Sequence, residues 1–454
     1  MARQQRVSPA PRTPGSRATQ QTRLAMDLHR AGKLDEARVM YRKVLAYAPN
    51  HADAWHFHGM LLLQTGDARG AIRDVRRALD LAPGYVDALA NLAIIHLDQR
   101  EFADCERCLT RVLSLRPTAV PPRITLGRLY RALGRLDESE AVLRDALDRD
   151  LSIDGRELES ALHGVLANTL LAQGRSEEAL SHYRRALEIN PGVREIHVSL
   201  GHALCRLKRF DEAAAQYRAI LEHDPGDVRA RHLLAACGGA STPDRAEDDY
   251  VRTVFDDFST SFDQKLASLG YRAPELLLRA MQESLGDACH DLDLLDAGCG
   301  TGLFGERARP FCSGLIGVDL SPGMLQIARG RNLYDQLHEA ELASWLAAQS
   351  AAFDVVASAD TLCYFGALDG ALRAAYSALR PGGWLFFSVE HHRGEASADF
   401  HLQHHGRYAH AESYVDRMLA DAGFGSVRII RDVLRTEAGS PVPGLVVSGR
   451  RIPS

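Results

Sequence analysis

No run of apolar residues in this 454-residue chain is long enough to span a bilayer, which takes about 20 of them. The N-terminus also lacks the apolar stretch of a secretory signal. It carries Arg3, Arg6, Arg12, Arg17 and Arg23 with Pro9, Pro11 and Pro14, and no acid. Such a stretch has almost nothing to bury, so residues 1–17 are read as a disordered basic tail; a transit peptide has the same composition. Cysteine is sparse. Its eight copies are scattered and form no disulfide framework, which points to a reduced, cytoplasmic setting. Cys105 and Cys108 form a C-x-x-C with no second pair at zinc spacing, so they read as two small helix residues and no metal is expected. Basic excess is missing too: 54 Lys and Arg face 59 Asp and Glu, against a general nucleic-acid binder. Neither a phosphate loop nor a catalytic cysteine is visible. What is present exceeds one core of ordinary size, so two or more domains are expected.

The first half repeats. A motif close to G-x-x-x-[DE]-A recurs with its small residue at Ala37, Ala71, Cys105, Ser139, Ala179 and Ala213, spacings of 34, 34, 34, 40 and 34, with Arg100 and Lys208 at the glycine position of the third and sixth units. A closing proline follows at Pro49, Pro83, Pro117, Pro191 and Pro225, and the fourth unit has Asp150–Leu151 there instead. Pairs such as His58–Gly59, Leu126–Gly127 and Leu200–Gly201 mark a close helix crossing in each unit. Glycine ends the first helix and proline stops the second. The pattern resembles the tetratricopeptide repeat, a helix–turn–helix unit of about 34 residues. Six units over residues 18–240 imply an all-α solenoid, with Val228–Cys237 as its capping helix. The concave face of such a solenoid is expected to bind a protein or peptide partner; bracing of the second half is the alternative.

The stretch Gly238–Asp248 is rich in Gly, Ser, Pro and charge, and residues 241–249 are read as a linker. Beyond them, in 250–454, strands alternate with helices. Strands are expected at Leu292–Ala297, Gly314–Asp319, Leu337–Glu341, Phe353–Ala359, Trp384–Glu390, Val427–Leu434 and Leu445–Arg450. Helices are expected at Gly302–Ala308, Gly323–Arg329, Leu368–Leu379 and Ala411–Ala422. This alternation predicts a mainly parallel, Rossmann-like seven-stranded sheet with ligands at the carboxyl ends of its strands.

The run Leu294–Gly305 contains D-x-G-x-G-x-G, with Asp296, Gly298, Gly300 and Gly302. A dinucleotide loop would need glycine at 303, where Leu303 stands. An acid before the first glycine suits a cation better than a pyrophosphate. The run resembles motif I of class I methyltransferases, whose cofactor, S-adenosylmethionine, carries an ammonium and a sulfonium. Gly317–Ser321 resembles the family's second motif, Ala359–Asp360 the acid ending its fourth strand, and Leu379–Gly383 the turn before its fifth. The resemblance implies a cofactor site of Asp296, Gly298, Cys299, Gly300, Gly302, Asp319, Leu320, Met324, Glu341 and Asp360. In it Asp319 would hold the ribose hydroxyls, and Met324 and Glu341 the adenine. Asp248–Leu266 and His404–Val415 resemble the lid and C-terminal part of predicted methyltransferases with tetratricopeptide repeats.

Methyl transfer is an in-line displacement, and an O- or N-acceptor needs a proton removed. Glu390, His391, Tyr364 and His410 are the expected catalytic residues, drawn from a cluster that also holds His392, His401, His404, His405 and Arg407. The expected function is S-adenosylmethionine-dependent methylation of an acceptor, protein or small molecule, without nucleic acid or membrane. The alternative is a repeat scaffold whose cofactor fold is vestigial.

Overall fold

The computed structural model describes residues 14–149, 155–286, 289–392, 398–437 and 439–453. Residues 1–13 of the expected basic tail, and Asp150–Leu151, lie outside the described residues. The chain divides into two compact units, Met1–Ile196 and His197–Ser454.

The first unit is a stack of antiparallel helix pairs: α1 Pro14–Arg30 with α2 Leu34–Tyr47, α3 Ala52–Gln64 with α4 Ala68–Leu81, and α5 Val86–Asp98 with α6 Phe102–Leu115. Residues 14–17 belong to α1 and not to the tail. Next come α7 Pro121–Ala132 with α8 Leu136–Leu147, and α9 Gly155–Ala172 with α10 Ser176–Ile189. The pattern continues in α11 Arg194–Arg206, α12 Phe210–His223 and the capping helix α13 Val228–Ala236. All six small motif positions are 0% exposed, because helices of a pair touch there. A Cβ on Gly59 would come within 2.8 Å of Val75, and one on Gly127 within 2.7 Å of Leu143. Cys105 sits in this packing among Ala93, Leu109, Leu126 and Leu129. Across the turns, Arg135 pairs with Glu138 and Glu106, and Arg175 with Glu178 and Glu140, so neighbouring pairs are tied at the surface. No helix among the described residues is long and apolar enough to cross a membrane.

The second unit holds the sheet. Its long strands are β1 Leu292–Ala297, β2 Cys312–Asp319, β3 Gln336–Glu339, β4 Phe353–Ser358 and β5 Leu379–His391. After them come the short β6 Phe400–Leu402 and β7 Tyr408–His410, then β8 Phe424–Glu437 and β9 Ser440–Arg451. Pairing runs β3-β2-β1-β4-β5 in parallel, then β9 antiparallel to β5 and β8 antiparallel to β9. These are the seven expected strands. β6 and β7, which the sequence reading missed, form a small hairpin that joins β5 at Glu390 and His391. They are rich in His and Tyr and too short for an apolar alternation to announce them. The long strands are apolar on both sides. Leu295, Val356, Phe387 and Val447 face a core with α20 (Asp369–Ala378) and α21 (Glu412–Asp421). Leu294, Val355, Phe386 and Val446 face one with α16 (Ala273–Leu285) and α17 (Leu303–Ala308). Helices on both faces leave the strand carboxyl ends as the open edge. Two further helices, α14 Asp248–Phe258 and α15 Phe262–Ser268, precede the sheet.

Candidate active site

The turn after β1 is set by β2. Gly298 and Cys299 donate backbone N–H to the Val318 carbonyl, at 2.8 and 3.0 Å, and Gly300 donates to Asp319 Oδ2 at 2.8 Å. Gly298 has φ +81°, and a Cβ there would meet Thr361 Oγ1 at 2.0 Å; only glycine fits. Gly300 also has positive φ but faces open space. That space is a cavity of about 460 Å³.

Asp296, Gly298, Cys299, Gly300, Asp319, Leu320, Glu341, Asp360 and Tyr364 all line the cavity. Gly302 and Met324 do not. Gly302 starts α17 at φ +93°. Met324 is fully buried one turn into α18 (Pro322–Gly330), where its N–H is capped by Ser321 Oγ. Packing under the loop replaces the adenine contact expected of it.

The acids differ in what they leave open. Asp296 accepts the Tyr334 hydroxyl at 2.6 Å on Oδ2, while its buried Oδ1 has no partner among the described residues. Burial pushes its pKa up to about 7, against the pull of Tyr334. Asp319 accepts one backbone N–H on each oxygen, from Gly300 and from Ser321 at 2.9 Å. Burial raises its pKa, and these N–H groups offset part of the rise. The carboxylate has more acceptor sites than these N–H groups use, and it lines the cavity. Glu341 is spent differently. It caps α19 (Leu342–Ala347), accepting from Ala343 and Ser344 at 3.0 and 2.7 Å, and pairs with Arg245 at 3.1 Å. It lines the cavity as an N-cap carboxylate, which the sequence could not show.

Helices α14 and α15 close the cavity with Val251, Val254, Phe255, Phe258, Phe262 and Leu266. Two acids on this lid dock on the loops below it. Asp256 accepts Ser321 Oγ–H at 2.5 Å and Gly323 N–H at 3.2 Å, and Asp263 accepts Thr301 Oγ–H at 2.5 Å and pairs with Arg331.

At the far end of the cavity stand Asp360, His405, Arg407, Arg435 and Glu437. Arg435, almost fully buried, bonds Asp360 at 2.6 Å, Glu437 at 2.7 Å and Glu390. Arg407 bonds Glu390 at 2.7 Å and also Glu437. Three carboxylates thus share two guanidiniums. Burial raises the Glu390 pKa, but the arginines more than offset it and hold it below the usual value; Glu437 falls to about 2 in the same way. Glu390 is thus held as an anion between two guanidiniums and does not line the cavity, so the structure does not offer it as the base expected of it. Its Oε2 lies 3.4 Å from His405 Nε2. The His405 Nδ1 is buried with no hydrogen-bond partner among the described residues. Burial lowers the His405 pKa to about 4, so the ring is neutral near pH 7.

His410 and His391 are placed outside the cavity lining. His410 is fully buried on β7, 3.1 Å from the Gly366 carbonyl and stacked on Tyr414, so it holds the hairpin to the β4–α20 connection. His391 ends β5 in register with His410. Tyr364 lines the cavity, edge-on to Phe255 at 5.4 Å, its phenol pKa raised by burial. Tyr334, Arg435 and Glu437 were missed by the sequence reading. They lie in segments without a motif and reach the site only through packing.

Residues 295–387 match the family described as a methyltransferase domain. Residues 118–191 and 170–237 match tetratricopeptide repeat families, and 22–149 matches the middle TPR-like domain of cilia and flagella-associated protein 70. The chain joins tetratricopeptide repeats to a methyltransferase domain. It is 39% identical over 112 residues to human (Homo sapiens) methyltransferase-like protein 27, covering 24% of this chain and 43% of that protein. It is 34% identical over 131 residues to a malonyl-[acyl-carrier protein] O-methyltransferase of Serratia marcescens, covering 27% and 49%. The chain thus spans less than half the length of these relatives. A solved S-adenosylmethionine dependent methyltransferase from Mesorhizobium loti aligns at 24% identity and TM-score 0.31, over 38% of this chain and 96% of that one.

Proposed function

We propose that the second unit binds S-adenosylmethionine and transfers its methyl group to a protic acceptor, an O–H or N–H compound or side chain, at the His405 end of the cavity. The observation that carries the reading is the pair of acids beside the glycine turn. Asp296 keeps a buried carboxylate oxygen unpaired, and Asp319 has acceptor sites to spare, in one cavity. A buried carboxyl with an unmet oxygen is held ionised by a nearby cation, and the cofactor's ammonium would supply one. Asp319 would accept the ribose hydroxyls.

When bound, the cofactor supplies a methyl carbon made electrophilic by a sulfonium. The protein's part is to bind, orient and handle one proton. The aromatic lid excludes water and gives the sulfonium a π-face. The Arg407–Glu390–Arg435 network fixes a carboxylate behind His405, favouring the tautomer with hydrogen on Nε2 and the lone pair on Nδ1. Nδ1 then takes the acceptor's proton as its oxygen or nitrogen attacks. The first unit would serve as the docking surface for a protein partner or acceptor, the common use of such arrays.

The test uses the whole protein with methyl-labelled S-adenosylmethionine and a fractionated extract of its own cells. Label moving to a protein or small-molecule fraction supports the reading. Cofactor binding with no transfer to any fraction supports the scaffold alternative instead.

A further inference from the structure

Within the second unit, the helix that completes the repeat pattern packs against the lid helix and the turn between His405 and Arg407, behind the cavity lining. His232 on α13 is 5% exposed. Its Nε2 lies 2.9 Å from the Gly406 carbonyl, and burial lowers its pKa, so the neutral ring donates Nε2–H to that oxygen. Its face stacks on Tyr250 of lid helix α14, with centroids 3.9 Å apart, and its edge meets Tyr408 at 6.4 Å. Gly406 stands between His405 and Arg407, the two cavity residues of this turn. The turn is tight. Gln403 N–H donates to the Arg407 carbonyl and Gly406 N–H to the Gln403 carbonyl, both at 2.8 Å, and Gly406 has φ +89°. A Cβ there would meet the Tyr250 hydroxyl at 2.3 Å and His232 at 3.4 Å. Around the contact, Arg231 pairs with Glu247 at 3.5 Å, and Phe210 of α12 lies 6.0 Å from His404.

One imidazole therefore touches both the lid and the turn that carries the proposed base. We propose that His232 is a positioning residue: the end of the repeat pattern, through His232, sets the register of the His405–Arg407 turn and of α14, and so shapes the cavity. Its functional meaning rests on the reading of the cavity as a methyl-transfer site, while the positioning itself does not.

The test uses the full chain with three variants, His232→Leu, His232→Gln and Tyr250→Leu, followed by amide hydrogen exchange and by equilibrium dialysis of labelled S-adenosylmethionine. Leu keeps the volume and removes the donor, whereas Gln retains an N–H donor. In His232→Leu, exchange at residues 404–408 and 249–254 is expected to rise roughly three- to tenfold, the scale of one lost hydrogen bond, with β1, β4 and α12 unchanged. His232→Gln should recover most of the protection, and the cofactor dissociation constant should follow the same ranking. Tyr250→Leu, which removes the stack from the lid side, should also speed exchange at 404–408. The proposal is overturned if the changes stay within α12 and α13, if Gln does no better than Leu, or if Tyr250→Leu leaves the 404–408 turn unchanged. If no variant and no wild-type protein binds cofactor, the methyl-transfer reading fails while the exchange data still decide the positioning.

Discussion

Asp296 shows how much one side chain can reveal. Its pKa is raised to about 7 in the folded chain, first by burial, against roughly 4 in an unfolded one. Folding binds a proton in that window, so this group's contribution to stability falls as pH rises from about 4 to 7 and stays low above it. Asp296→Asn is expected to raise the thermal midpoint at pH 8 more than at pH 5, while cofactor binding is lost at both. Thermal unfolding at the two pH values checks this, and an equal or opposite shift contradicts it. A cationic ligand needs the ionised carboxylate. Cofactor affinity should therefore weaken as pH falls from 8 to 6, by up to about tenfold per unit below the pKa, which dialysis at each pH measures. For His405, substitution by Ala should cut labelling of the acceptor fraction by about 100-fold or more, the usual scale for a lost general base, with cofactor affinity nearly unchanged. Loss of affinity instead would place His405 in cofactor binding. The positions of Asp296, Asp319 and the glycines could be read from a motif, whereas His405 was one histidine of a cluster and Glu437 had no motif to mark it. The states of these groups could not be read there. That Glu390 is a clamped anion depends on Arg435, 45 residues away, and no local pattern announces such a pair.

The helices and strands were the most readable layer. A period of 34 with glycine and proline at fixed places leaves the repeat helices little choice, and the buried small residues show why. Gly127→Ala should be costly despite its better helix propensity, because the new methyl would lie within 2.7–2.8 Å of three Leu143 atoms in a packed crossing. A loss of about 1–3 kcal/mol is expected, readable by urea unfolding; a gain would show that Leu143 moves aside freely. Strand β5 shows the opposite case. Its LRPGG start reads as a turn, yet it opens the strand, paired from Leu379 with Phe353. The strands of the β6–β7 hairpin are three residues each, too short for an alternation to stand out, and Tyr408 and Leu402 pack with Ala235 of α13.

At the scale of the whole chain, composition marks residues 241–249 as a linker; Asp248 and Asp249 already belong to α14, and the stretch before them is pinned. The Asp244 carbonyl accepts N–H from Gly366 and Ala367 at 2.8 Å each, Ala246 N–H donates to the Tyr364 carbonyl at 2.8 Å, and the Tyr408 hydroxyl donates to the Pro243 carbonyl at 2.8 Å. The compact second unit accordingly begins at His197, inside the last repeat. A truncation that removes residues 1–193 is expected to keep cofactor affinity within about twofold of the full chain. One that removes 1–240 also takes His232 from beside Gly406 and should weaken binding by about tenfold or more, the scale of removing a buried hydrogen bond together with a ring stack. Equal affinity in the two would show that α12 and α13 are dispensable to the cavity. The central claim, a cofactor site formed by the glycine turn and its two acids, is tested most directly by equilibrium dialysis of the full chain with labelled S-adenosylmethionine, beside Asp319→Ala. Saturable binding of one molecule per chain, weakened at least about tenfold by the loss of the Asp319 hydrogen bonds, is the predicted result. No saturable binding, or equal binding by the variant, would contradict it.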